Sequence, residues 1–281
     1  FSKNVVDNFT QMYAQGLTPN PCVECNRSVK FDHFISQAKK LNCDKVATGH
    51  YAKIIKKNNE FELHKADYLD KDQSYVLHML KSSDLENISF PLGEISKPEV
   101  RQIAARIGLK TAFKKDSQDI CFVGKKDYRS FVEKRIDLTS PGEIFDIEGN
   151  KVGDHNGIHE FTVGQRKGLP GGYGTPRYVT KINVQNKNVT IGEKKDLLVS
   201  SFIVEELSCV NDLEYKNLTI QTRYNSEDLP CEIKKLSDTK VLVQLKEPAF
   251  GVAPGQFGVI YNGTKVVCGG RISPKVLENI G

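Results

Sequence analysis

Cys22 and Cys25, separated by Val23 and Glu24, sit in Thr18-Pro19-Asn20-Pro21-Cys22-Val23-Glu24-Cys25-Asn26-Arg27, a loop stiffened by two prolines just ahead of a helical pattern. Two thiols at a helix start are expected to ionise readily, because the helix dipole and the unpaired N–H groups favour the thiolate. Arg27 and Lys30 would add to that effect. Such thiols suit sulfur or disulfide chemistry. The competing use, half of a zinc knuckle, needs four ligands, and the chain has neither a second C-x-x-C nor a close His pair. Cys121 lies in Lys114-Lys115-Asp116-Ser117-Gln118-Asp119-Ile120-Cys121-Phe122-Val123-Gly124 and reads as a strand-like thiol beside a cationic loop. Cys43, Cys209, Cys231 and Cys268 are isolated in predicted helix ends or strands, where buried, inert thiols are expected. The basic loop from Gly164-Gln165-Arg166-Lys167-Gly168 to Gly174 matches neither a Walker A loop nor a dinucleotide fingerprint, so no nucleotide is assigned to it.

The elements that must hold these residues change character along the chain. Val5, Val6, Phe9, Met12 and Tyr13 recur at helical spacing, and Phe31, Phe34, Ile35, Ala38 and Leu41 mark a second helix. A strand over 45–48 then runs into Gly49-His50-Tyr51, the layout of an α/β sheet whose ligands gather at the carboxyl edge. Pro98, the apolar Val100, Ile103, Ala104 and Ile107, and Gly108 as terminator predict another helix, with Arg101 and Arg106 on its solvated face. A short helix on Tyr128, Phe131, Val132 and Ile136 follows, then hairpins over 143–154 and 178–193. From about 198 onward, six short strands at 202–207, 218–224, 231–236, 240–245, 257–261 and 265–272 predict a small closed barrel. Three domains are therefore expected, at 1–124, 125–197 and 198–281.

Composition bounds the function classes. Of 281 residues, 38% are hydrophobic and 27% charged, enough for a core and unlike a disordered chain. No apolar run reaches the ~18–20 residues of a membrane helix, so no membrane partner is expected. The net charge of +5 is compatible with a polyanionic partner. Seven cysteines without a secretory leader predict reduced thiols and a cytoplasmic location. The chain opens at Phe1 inside a helical pattern, which predicts an upstream segment.

Taken in order, several motifs resemble the tRNA-uridine 2-sulfurtransferases (the MnmA/TrmU family): Thr18-Pro19-Asn20-Pro21 to Cys25-Asn26 with Val29-Lys30-Phe31, Ala47-Thr48-Gly49-His50-Tyr51, Lys71-Asp72-Gln73-Ser74-Tyr75, Asp116-Ser117 to Cys121-Phe122-Val123-Gly124, Thr162-Val163-Gly164-Gln165-Arg166-Lys167-Gly168-Leu169, Arg223-Tyr224 and Pro254-Gly255-Gln256. The resemblance spans essentially the whole chain. It implies an α/β part of a PP-loop ATPase, adenine-nucleotide α-hydrolase-like, followed by a small α+β adaptor and a β-barrel that contacts tRNA. It also implies 2-thiolation of the wobble uridine, with ATP and Mg2+ activating the 2-carbonyl and a persulfide on Cys121 supplying sulfur. Cys25 would be the partner thiol that releases the sulfur and ends disulfide-bonded to Cys121. Gly49 would lie against the nucleotide, and Asn20, Pro21 and Cys22 would surround the target base. His50, Lys71, Asp72, Gln73, Arg223, Tyr224 and Gln256 would contact tRNA. Besides tRNA, the implied partner is a sulfur-donor relay protein or a cysteine desulfurase. The family opens with a Ser-Gly-Gly-x-Asp-Ser type phosphate loop that these residues lack, so the chain alone is expected to bind tRNA without consuming ATP. Some members carry Asp where Cys22 stands. Two other classes remain open: an RNA-binding module without catalysis, and an iron–sulfur or dithiol redox protein built on Cys22, Cys25 and Cys121.

Overall fold

The computed structural model describes residues 1–114, 120–124, 127–136, 140–209 and 216–274, the side chain of Cys209 excepted. A wide π-helical turn, Ser2–Asp7, leads into α1 (Asn8–Ala14). Val5, Val6, Phe9, Met12 and Tyr13 are all buried, as their spacing predicts. α2 (Pro21–Glu24) starts on Asn20, whose side chain accepts from the Cys22 N–H at 3.2 Å, with Pro21 opening the first turn. It passes through a π-helical turn, Cys25–Phe31, into α3 (Asp32–Lys40). Of the expected apolar stripe on this helix, Phe31 is buried and Ile35 partly so, whereas Phe34 and Leu41 stay exposed.

β1 (Val46–Ala47) pairs in parallel with β4 (Ile88–Ser89), which leaves Thr48, Gly49 and His50 at the carboxyl end of β1. Between them lie the hairpin of β2 (Ala52–Lys57) and β3 (Glu60–Lys65) and the short helix α4 (Ser82–Leu85). Asn58 and Asn59 turn the hairpin at φ 48 and 67, where Asn is tolerated better than most residues. α5 (Lys97–Arg106) is capped by Ser96 and keeps Ile103 and Ile107 exposed. α6 (Tyr128–Glu133) opens the middle segment. There β5 (Gly142–Phe145), β6 (Lys151–His155), β7 (Tyr178–Asn183) and β8 (Asn188–Gly192) form a sheet in the order β6-β5-β8-β7. Both predicted hairpins are present, joined by a parallel β5–β8 contact with Ile144 opposite Val189.

β9 (Leu198–Cys209), β10 (Leu218–Gln221), β11 (Leu229–Ser237), β12 (Lys240–Phe250), β13 (Phe257–Asn262) and β14 (Lys265–Ile272) build the expected six-stranded barrel, closed by the β13–β14 pairing. One connection has no sequence signal. β3 adds to β14, with His64 opposite Lys265, so the β2–β3 hairpin extends the barrel sheet. Lys65 reaches Asp228 at 2.6 Å and lies over the Tyr261 ring, and Lys265 reaches Glu62 at 2.7 Å. Leu63, Tyr75 and Leu77 from the α/β segment share one apolar core with Phe257, Val259, Tyr261 and Val266 of the barrel. The two parts therefore meet through a common interior.

Candidate active site

Cys22 and Cys25 are three residues apart on a helical turn, a spacing that projects both side chains from one face. Val23, between them, is fully buried on the other face. Cys22, Cys25 and Cys121 line a single cavity of about 390 Å³. The neighbouring Asn20 and Pro21 share it, as do His50 and Gln73 from the α/β segment and Tyr224 from the barrel. All three cysteines are free thiols here, so the disulfide expected from the resemblance is not formed in this structure. Cys121 is exposed and belongs to a turn rather than a strand: the Val123 and Gly124 N–H groups both donate to the Ile120 carbonyl, and Gly124 has φ 67. Phe122 docks that turn against Phe9 and Phe131, with ring centroids 5.3 Å away in each case. Asp116 and Ser117 lie outside the described residues.

The thiols correct the sequence-based expectation of easy ionisation. Desolvation pushes both Cys22 and Cys25 above the usual thiol range, and Lys30 offsets this only in part. Cys22 keeps accessible surface and lines the recess. Arg27 turns its guanidinium to Glu24 at 3.0 Å instead of toward the thiols. Cys121 raises both neighbours further, because a second thiolate nearby disfavours the first. A further correction concerns Cys43, which is exposed, whereas Cys231 and Cys268 are buried as expected. Burial pushes the Cys231 thiol up to about 12.

His50 is nearly buried, with Nδ1 2.8 Å from Thr48 Oγ1 and Nε2 3.4 Å from the Lys30 ammonium. Burial, and then Lys30, hold it down to about 4, so the ring is neutral at pH 7. Lys30 can only donate, so Nε2 accepts and the proton sits on Nδ1, facing Thr48. Asn26 donates from Nδ2 to the Val76 carbonyl at 3.0 Å, and its Oδ1 is a buried acceptor without a partner in the cavity wall.

The remaining predicted residues divide by what occupies them. Gln73 takes the Tyr51 N–H on its Oε1 at 3.0 Å. Asp72 is 7% exposed, its carboxylate receiving the Ala66 N–H and the Ser74 hydroxyl at 2.8 and 2.6 Å, and burial raises its pKa. Lys71 ends the short turn before it. Arg223 is exposed, lies over Gly251 and makes no side-chain hydrogen bond within the described residues. Tyr224 is 39% exposed and is a wall shared by the thiol cavity and two recesses on the barrel side, of about 530 and 900 Å³. The Gln256 amide is turned inward, donating to the Thr18 and Pro19 carbonyls at 3.2 and 3.4 Å. Gly49 exposes its backbone at the carboxyl end of β1, a place that suits a nucleotide in α/β sheets. No Asp or Glu among the described residues lines the thiol cavity. Among the described residues, the group of His, Cys, Asp and Glu that converges closely enough for one metal ion is Glu133, His159 and Glu160, not the three thiols. Sequence reading named Lys30 for its charge beside the thiols but missed Asn26 as part of the cavity wall and Glu24 as a buried neighbour of the cysteines. Only position inside or beside the cysteine motif hinted at them.

The α/β segment and the closed barrel both contribute to the wall around the three thiols, and a small four-stranded sheet domain lies between them in the chain. Residues 1–125 match the tRNA methyl transferase HUP domain, 129–193 the tRNA methyl transferase PRC-barrel domain and 199–272 the aminomethyltransferase beta-barrel domain. The chain is 42% identical over 278 residues to the tRNA-specific 2-thiouridylase MnmA of Chloroflexus aurantiacus, covering 97% of this chain and 77% of that protein. It is 41% identical over 281 residues to the protein of the same name from Rickettsia prowazekii (98% and 78% covered), and 41% over 280 residues to that of Lachnoclostridium phytofermentans (97% and 78%). The chain belongs to the tRNA-specific 2-thiouridylase MnmA family.

Proposed function

We propose that this chain serves as a tRNA-uridine 2-sulfurtransferase acting on the wobble uridine, with Cys121 carrying the transferable sulfur and Cys25 releasing it. The observation that carries this reading is the cavity itself: two sequence-distant cysteine motifs open into one recess bounded by an exposed tyrosine. An extruded uridine fits there, stacked on Tyr224, with the unpartnered Asn26 Oδ1 in the wall as an acceptor for its N3–H. When bound, ATP with Mg2+ would turn the 2-carbonyl oxygen into a leaving group. The Cys121 persulfide would attack C2, and the activated oxygen would depart. Cys25 thiolate would then attack the Cys121 sulfur, breaking the S–S bond, leaving sulfur on C2 and forming the Cys25–Cys121 disulfide. Two reductant electrons would restore the dithiol. The raised pKa of Cys25 keeps it protonated at rest, which limits premature attack on the persulfide.

Gly49 would face the nucleotide, and the neutral His50 would hold Lys30 beside the thiols. Arg223 and Tyr224 would grip the tRNA, the guanidinium on phosphate and the ring on a base. Lys71 would add charge near that path. Asp72, Gln73 and Gln256 would act by shaping the turns that carry those contacts. The sulfur would come from a relay protein or a cysteine desulfurase reaching the exposed Cys121. No helix among the described residues is long and apolar enough to cross a membrane. Thiol chemistry of this kind suits the reducing cytoplasm. The test is Cys121→Ser in a chain that also carries the family's phosphate loop, with sulfur-loaded donor, ATP and tRNA. Thiolation should fall to background while tRNA affinity stays within about twofold, since the change removes one atom type and no phosphate contact. Thiolation that persists would overturn the role of Cys121, and tRNA binding without thiolation by the loop-bearing chain with Cys121 intact would favour a binding module.

A further inference from the structure

Glu24 lies inside the C-x-x-C motif yet faces away from the cavity. It is 7% exposed, and its two carboxylate oxygens are divided between two guanidinium groups. Oε2 takes Arg27 from the same helical run at 3.0 Å, and Oε1 takes Arg271 from barrel strand β14, also at 3.0 Å. Arg271 is itself held from several sides. Its Nη1 lies 3.4 Å from the Gly255 carbonyl and 3.2 Å from the Met12 sulfur, its Nε 3.4 Å from Glu206, and its guanidinium stacks over Phe257 at 4.9 Å. A planar fork gripped in this way can dictate where its carboxylate stands.

The barrel holds the approach to the motif as well. The Thr18 N–H donates to the Pro254 carbonyl at 2.9 Å, and the Gln256 amide donates to the Thr18 and Pro19 carbonyls. Gly255, at φ 90, comes so close that a Cβ there would stand 2.8 Å from the Thr18 nitrogen. The segment leading into Cys22 and the residue just before Cys25 are thus both tied to the barrel.

We propose that Arg271 and Gln256 are positioning residues for the cysteine chemistry: the barrel, through Glu24 and the Thr18–Pro19 carbonyls, sets where Cys25 stands relative to Cys121. Cys121 arrives on a separate turn docked by Phe122 on α1 and α6, so its approach to Cys25 depends on two independent anchors. Loosening the barrel anchor lowers the effective concentration of one thiol at the other without touching either. The proposal rests on the reading that Cys25 and Cys121 react with each other.

The test is a redox equilibrium on the full chain and its Arg271→Met, Arg271→Lys and Glu24→Gln variants. Protein dithiol plus glutathione disulfide yields the Cys25–Cys121 disulfide plus two glutathione thiols, quantified by acid quench and peptide mass spectrometry. Arg271→Met and Glu24→Gln should each shift the equilibrium toward dithiol by about tenfold, the loss expected for one charge-assisted hydrogen bond. Arg271→Lys, which keeps a cation beside Glu24, should recover part of that loss. An equilibrium unchanged in both Arg271→Met and Glu24→Gln overturns the proposal. Cys268, fully buried three residues before Arg271 on the same strand, reports whether the barrel has stayed closed. If it becomes open to alkylation in those variants, Gln256→Ala, which leaves the ion pair in place, decides: a loss of about threefold or more supports the proposal and no change overturns it. Absence of any Cys25–Cys121 disulfide in the unaltered chain would overturn the thiol-pairing reading, and this proposal with it.

Discussion

Gly255→Ala isolates the packing of the barrel turn against the cysteine loop. Gly255 has φ 90, and an added Cβ would lie 2.8 Å from both the Leu17 Cβ and the Thr18 nitrogen and 3.0 Å from the Met12 Cε. Two of those three atoms belong to or adjoin backbone that is hydrogen-bonded to Pro254, so neither can swing aside as the end of a flexible side chain would. Gly263 provides the control. It too has positive φ, at 59, but an added Cβ meets nothing within 4 Å. The backbone cost of a left-handed Ala, about 1–2 kcal/mol, applies to both positions. Only Gly255→Ala adds an overpacking cost of about 1–3 kcal/mol. The measurement is alkylation of the buried Cys268 and Cys231 along a urea titration, which reports barrel opening locally and does not require the whole chain to unfold in one step. Gly263→Ala should lower the opening free energy by about 1–2 kcal/mol, and Gly255→Ala by at least about 1 kcal/mol more. Equal losses in the two variants would refute the steric reasoning.

Two further outcomes follow from the charges around the site. Lys30 holds the Cys25 pKa down against desolvation, so Lys30→Met should move it further up and shrink the thiolate fraction at neutral pH. Iodoacetamide alkylation of Cys25 across pH should then rise through a higher midpoint than in the unaltered chain, and an unmoved or lower midpoint would show that Lys30 does not act on that thiol. Arg223→Ala should weaken binding across tRNAs and reduce the log–log salt slope by about one unit, as expected for one lost phosphate contact. An unchanged affinity and slope would return Arg223 to ordinary solvated surface.

Much of this architecture is local and could be read from residue order. The six barrel strands announce themselves by short apolar alternation between turn residues, and β12 buries Val241, Val243 and Leu245 in that alternation. The π-to-α run ahead of the first cysteine loop buries the helical positions that its spacing marks. The motif residues Asn20, Pro21, Cys22, Cys25, His50, Gln73, Cys121 and Tyr224, named from sequence, gather at one cavity. What the tertiary structure alone decided depends on groups far apart in the chain. The direction of the thiol pKa shifts reversed, because desolvation by the assembled cavity outweighs the helix start and Lys30 that are visible locally. The inward fold of Asp72, held by the Ser74 and Ala66 hydrogen bonds, has no local signature beside Lys71. The strand pairing of β3 with β14, the shared core and the Glu24–Arg271 bridge all join residues far apart in the chain, such as Glu24 with Arg271 and Tyr75 with Phe257. No periodicity records such a pairing. Propensity and alternation report the environment of a residue's neighbours in sequence, whereas burial, electrostatics and register across the domain junction are fixed only when the barrel closes against the α/β segment.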